Sequence, residues 1–254
     1  MTCNFNFTPV CDSLHLQFNV DGLPLFKSSN TELWPILCLV KNSNFQPFVV
    51  GVYCGRKKLA DLHDYLEDFV ADLLDVLRKG IKKSGIHYAA VLDCFVCDAP
   101  ARAFIKNIKG HSGYFGCDKC SREGEYVEGK VTFPEIDAQL RTDIQFDEMN
   151  DEDHHRGPTS LKSIPLGLVS EFVLDYMHLV CLGVVRKLMN FWLRGPIRKV
   201  CGDLASRLPV QVVNGLSQKL DNFATFVPRD FARKPRSVHE IDRWKATEFR
   251  QFLF

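Results

Sequence analysis

Between residues 14 and 20 the chain alternates: Leu14, Leu16, Phe18 and Val20 take one side, His15, Gln17 and Asn19 the other. A period of two predicts a β-strand buried on one face. Asp21 follows, and Gly22 and Pro24 break the strand. Two further short apolar runs, 34–40 and 47–54, are bounded by turn formers such as Lys41-Asn42-Ser43-Asn44, and predict an antiparallel meander. The period then changes. From 58 to 82, Leu59, Leu62, Leu66, Phe69, Leu73, Leu77 and Ile81 recur at helical spacing, and the acids between them fall mostly on the outer side. Residues 86–98 are almost continuously apolar and end in Asp98, the pattern of a central strand covered on both faces. Residues 99–108 read as a short helix with Pro100 in its first turn.

The second half is less regular. Residues 132–155 are acidic and poor in large apolar groups, which predicts a mobile loop. Its acids (Asp147, Glu148, Asp151, Glu152, Asp153) lack the glycine and spacing of a calcium loop. Residues 174–193 predict a helix with a wide apolar face, and helical or irregular pieces continue to about 226. Arg229, Arg233, Lys234 and Arg236 form a basic stretch that suits either phosphate contact or a solvated loop. From 239 onward HEIDRWKATEFRQFLF returns to a helical period, with Ile241, Trp244, Phe249 and Phe252 apolar.

Bulk properties narrow the class. At 254 residues, 46% apolar and 25% charged, the chain suits one large globular domain, or one domain with an insertion. A net charge of +1 argues against a strong independent polyanion binder, so DNA contact rests on local patches. No apolar run reaches the roughly 18 residues that span a bilayer, and no secretory leader pattern opens the chain. Most of the ten cysteines sit in apolar stretches, as in ILCLV and VLDCFVCD, where they read as small buried hydrophobes of a reducing, intracellular protein.

Two features suggest chemistry. Asp21 ends a core strand, where the sheet holds a carboxylate rigidly enough for a metal site, although Asp-Gly equally opens a turn. Cys117 and Cys120 form a Cys-x-x-Cys between glycines and aromatics, a spacing that lets both thiolates reach one tetrahedral zinc. A redox pair is the alternative, but the motif does not open a helix after a strand. His178 on its helix reads, taken alone, as a structural histidine.

Three strands, a long helix, a buried strand and a helix make the opening order of the ribonuclease H-like fold, in which the first and fourth strands lie side by side. The wording of several blocks adds to this. NVDGLPLFKSSNTELWPIL, with Asp21-Gly22 and with Ser29, Trp34 and Pro35, resembles the first catalytic block of the transposases of CACTA (En/Spm-type) elements. VCDAPARAF resembles their second, an Asp-x-Pro-Ala block matched by Asp98, Pro100 and Ala101, with Asp93 as the competing acid. The CxxC is followed in that family by a Met-His, here Met177-His178, and Lys245-x-x-Glu248 resembles the third block.

The resemblance implies an α/β, ribonuclease H-like mixed sheet with a mostly helical, zinc-associated insertion. The core would span 1–116, the insertion 117–240, and the start of the third-acid helix 241–254. It implies a DDE-type nuclear transposase domain for two-metal phosphodiester cleavage and strand transfer on transposon-end or target DNA. Asp21, Asp98 and Glu248 would hold two Mg²⁺ (or Mn²⁺) ions roughly 4 Å apart. Cys117, Cys120 and His178 would hold Zn²⁺, with His154, His155 or Cys181 as fourth ligand. A homo-oligomer fits the same class; a membrane does not. The alternatives are a transposon-derived remnant or domesticated domain for DNA or protein contact, and a zinc-dependent interaction module. Only six residues follow Glu248, so weak nicking is expected of this chain.

Overall fold

The chain is mixed α and β structure around a sheet with both parallel and antiparallel neighbours. The computed structural model describes residues 13–25, 31–55, 62–195, 207–229, 231 and 233–253; Ser29 and positions 58–61 of the helical stripe lie outside them. The chain divides into two compact units, Met1–Leu174 and Asp175–Phe254.

In the first unit the alternation forms β1 (Ser13–Val20), with its four apolar residues buried. Past Gly22 comes β2 (Leu23–Pro24). Both pair antiparallel with β3 (Glu32–Val40), which pairs in turn with β4 (Phe48–Gly55). α1 (Leu62–Lys79) buries Leu66, Val70 and Leu73, and Phe69 meets Phe18 edge-on at 5.1 Å. The helix ends earlier than the apolar stripe suggests. Gly80 adopts φ +65°, and Ile81 starts β5 (Ile81–Lys83), an antiparallel partner of β6 (Ile86–Cys97). Ile81 matches the helical spacing by number only; the reversal at glycine takes it into the sheet.

β6 runs parallel to β1, and between the pairs Leu16–Leu92 and Gln17–Cys94 the register slips by one, leaving Asp93 with no residue opposite. One extra residue reverses the in–out alternation. Before the slip Tyr88, Ala90 and Leu92 are buried; after it, Phe95 and Cys97. The nearly continuous apolar run therefore reflects a change of parity as well as a central position, and Val91, expected to be covered, is 40% exposed.

α2 (Ala99–Ile105) follows, then a connection holding the hairpin β7 (Glu125–Val127) and β8 (Lys130–Thr132) and the short α3 (Asp143–Asp147). The acidic stretch expected to be a mobile loop is tied down. Thr142 and Gln145 form a capping box, and Asp143 accepts from Val169 N (2.6 Å), Ser170 N (3.0 Å) and Ser170 Oγ (2.6 Å). Arg141 pairs with Asp151 at 2.7 Å, and Phe146 supplies a buried anchor. Backbone donors and an arginine satisfy these acids, which composition alone assigns to water.

The unit closes with β9 (Phe172–Leu174), parallel to the end of β6, and the Phe172 ring stacks on Phe95 at 5.0 Å. Residues 117–174 thus lie in the sheet-containing unit, and the helices expected over 117–240 concentrate after it. There Met177–Val185 winds as a π-helix into α4 (Arg186–Arg194), followed by α5 (Val210–Phe223) and α6 (Ala246–Leu253). Cys181, Val185, Met189, Ile241, Trp244 and Phe249 are among its core residues. Among the described residues no helix is long and apolar enough to cross a membrane.

Candidate active site and metal centre

Phe18 stands opposite Phe95 in the β1–β6 pair, and three residues further along the two parallel strands come Asp21 and Asp98. Both line one pocket of about 280 Å³, together with Gly22, Glu32, Trp34, Pro100, Ala101 and Phe104. The slip at Asp93 produces this match. With an unbroken register Asp21 would stand opposite Cys97, which is buried in the core.

Each wall of the pocket has a local cause. Asp98 follows β6 and caps α2, its Oδ1 accepting from Ala101 N at 2.7 Å, so the helix start orients the carboxylate. Trp34 packs against Phe104 at 5.0 Å and donates from Nε1 to Glu32 Oε2 at 3.0 Å. Gly22 lies against the same indole: a Cβ there would come within 2.7 Å of the ring, so the position excludes a side chain. Glu32 is an acid of this pocket that the sequence reading did not single out. The available signal was the period of two, which places it on the same strand face as Trp34.

Asp93 is engaged elsewhere. His15 Nδ1 lies 2.8 Å from its Oδ1, and Lys41 Nζ donates to its Oδ2 at 2.9 Å. Burial pushes the carboxyl up, but these two partners hold it below the usual carboxylate range. Glu248 is in the second unit, on α6, with its side chain 1% exposed. Arg236 donates to it twice, Nε to Oε1 at 2.5 Å and an Nη to Oε2 at 2.9 Å, and Lys245 N donates to Oε2 at 2.8 Å. Burial raises the Glu248 carboxyl, but Arg236, with help from the Lys245 amide and Arg233, holds it below its usual range.

Cys117 and Cys120 are free thiols with sulfurs 3.2 Å apart. Burial, and then the neighbouring thiol, push Cys120 up. The two residues between them anchor the loop. Asp118 pairs with Arg102 at 2.8 Å and with the fully buried Lys106, while Lys119 Nζ donates to the carbonyls of Val169 and Phe172. Burial draws Lys106 down to about 8 against the pull of Asp118. Arg141 Nε donates to Cys117 O at 3.1 Å. The sequence reading missed this buried ionic network, since nothing in the spacing of Arg102, Lys106 and Asp118 signals it.

The other proposed zinc ligands are distributed over both units. His154 is buried, with Nδ1 donating to Phe115 O at 2.7 Å and Nε2 enclosed without a partner. His155 packs against Phe146 at 4.5 Å. In the second unit His178 Nδ1 bonds Asp175, and Cys181 is buried in that unit's core. Among the described residues no three of His, Cys, Asp or Glu gather to hold a metal ion.

No protein-family model matches this chain, and no curated protein matches it.

Proposed function

We propose that the sheet-containing unit is the ribonuclease H-like catalytic core of a DDE-type transposase similar to those of CACTA elements. Its reaction is phosphodiester cleavage and strand transfer on DNA, in the nucleus. The observation that supports this most is that Asp21 and Asp98, each just past the end of one of two adjacent parallel strands, line a single pocket. The sheet order agrees with it: of the four strands expected from sequence, now β1, β3, β4 and β6, the first lies beside the fourth.

The residues fit a hard divalent cation. Carboxylate oxygens on rigid strand ends suit Mg²⁺ or Mn²⁺, and Asp21 and Asp98 would hold it, with Glu248 as the third acid that the resemblance adds. Bound there, such an ion supplies Lewis-acid stabilisation of phosphate oxygens and lowers the pKa of a bound water or 3′-hydroxyl. The α2 cap keeps the Asp98 carboxylate aimed, and the Trp34–Phe104 wall shields one side of the pocket from water. Arg236 holds Glu248 within its own unit. That clamp favours a second reading, a weakly active transposon-derived domain that keeps the fold for DNA or protein contact.

Nicking of supercoiled plasmid tests both. Weak Mg²⁺- or Mn²⁺-dependent nicking is expected, abolished by Asp21→Asn and by Asp98→Asn and retained in Asp93→Asn. Activity that survives the first two substitutions sinks the nuclease reading. For the thiol pair, soft donors fit Zn²⁺, which Cys117 and Cys120 would hold. Purified protein is expected to carry about one zinc per chain, and Cys117→Ser to lose it and melt earlier. Metal-free protein with an unchanged Tm argues against that site.

A further inference from the structure

We infer that the groove between α5 and α6 binds single-stranded nucleic acid. The groove, about 730 Å³, lies wholly within the helical unit, and its floor includes Leu216, Leu220 and Phe252. Phe223, Phe226 and Phe231 stand on it at 59%, 81% and 54% exposure. Three such rings on one surface are a costly arrangement in water, and a contiguous patch of this kind marks an interaction site. Lys219, Arg233 and Arg250 accompany the rings, and the described lining residues include no acid.

The surface is also held in shape. Gln251 Nε2 donates to Arg233 O at 2.9 Å, and Arg236 is clamped on Glu248, so the 233–236 segment is fastened to α6. Phe226 N donates to Phe223 O at 2.9 Å, which fixes the turn that presents both rings. Rings interspersed with cations match unpaired bases on a phosphate backbone, because every base offers a π-face and every phosphate a charge. Duplex DNA hides its base faces and would leave the rings in water. The inference rests on the DNA reading above for the nature of the polymer, and adds the state of the strand and the place where it binds.

The test uses the full chain and three fluorescein-labelled probes: oligo-dT of about 12 nucleotides, an abasic strand of equal length, and a duplex. Oligo-dT is expected to bind more tightly than either of the others. Phe226→Ala, at a ring the fold barely covers, is expected to weaken oligo-dT binding at least about fivefold with Tm unchanged. Arg250→Ala is expected to reduce the slope of log affinity against log salt by about 0.7. Equal binding of oligo-dT and the abasic strand overturns the inference, as does parental affinity in Phe226→Ala. So does a dimer of the chain that Phe226→Ala dissociates, which would identify a second copy as the occupant. Nicking is scored in parallel. A chain that binds oligo-dT through Phe226 but never nicks loses the nuclease reading and keeps the groove; one that nicks with Phe226-independent binding does the reverse.

Discussion

His154 is fully buried, and its Nε2 sits where nothing accepts or donates to it. Burial lowers its pKa from 6.5 to about 4, against the Phe115 carbonyl, with Arg141, His155 and Lys106 adding to the fall. The folded state therefore keeps a neutral ring while the unfolded chain takes up a proton below 6.5. The contribution to stability is full above 6.5 and is lost as pH falls through the window down to about 4. Thermal melts across that window should fall more steeply for the parent than for His154→Gln; parallel curves would show that the imidazole is not sheltered. His154 appears in the sequence only as one of two adjacent histidines in an acidic stretch. Asp21 and Asp98 were legible because each ends a strand pattern. Glu32 was not, since an acid at a strand start is ordinary until a neighbouring strand brings Asp21 and Asp98 beside it.

Among the elements, β1, β3, β4 and α1 are long enough for their period to identify them, whereas β5 and β9 have three residues each. Gly80 marks the place where a helical pattern stops being a helix. At φ +65° a Cβ costs about 1–2 kcal/mol. The same Cβ would also run into the Tyr88 backbone carbonyl and come within 2.7 Å of the His87 ring, whose Nε2 bonds the Lys79 carbonyl at the helix end. Gly80→Ala is expected to destabilise the protein by about 2–3 kcal/mol in urea unfolding, the conformational part plus displacement of the Tyr88 carbonyl and the His87 ring. Gly85→Ala, at φ +80° but with no atom within 4 Å, should lose the conformational part alone. Equal losses would mean that the Tyr88 carbonyl and the His87 ring yield at no cost.

At the scale of the whole molecule each unit has its own core, and β9 sets where the first one closes. Its Phe172 is completely buried, stacks on Phe95, and has the Lys106 ammonium 5.3 Å from its ring centroid. Phe172→Ala is expected to cost about 3–5 kcal/mol, read by denaturant unfolding. A loss under about 1 kcal/mol would place β9 outside the sheet. The same substitution should reduce nicking, because Leu174 of β9 pairs with Cys97, the residue before Asp98.

Periodicity belongs to a few consecutive residues, so the local pattern is enough to show which stretches alternate, which wind, and which acids and thiols stand at their ends. Register and partnership belong to residues far apart in the chain and follow from how the whole molecule packs. Asp93 drops out of the β1–β6 ladder because the core needs Phe95 and Cys97 facing inward after Tyr88, Ala90 and Leu92. With that slip Asp21 and Asp98 each come three residues after the Phe18–Phe95 pair. Packing likewise decided that Arg236 holds Glu248 and that Lys106 is buried beside Asp118. A one-residue change in pairing reverses every side chain beyond it, and no local pattern records which pairing the rest of the molecule makes most stable.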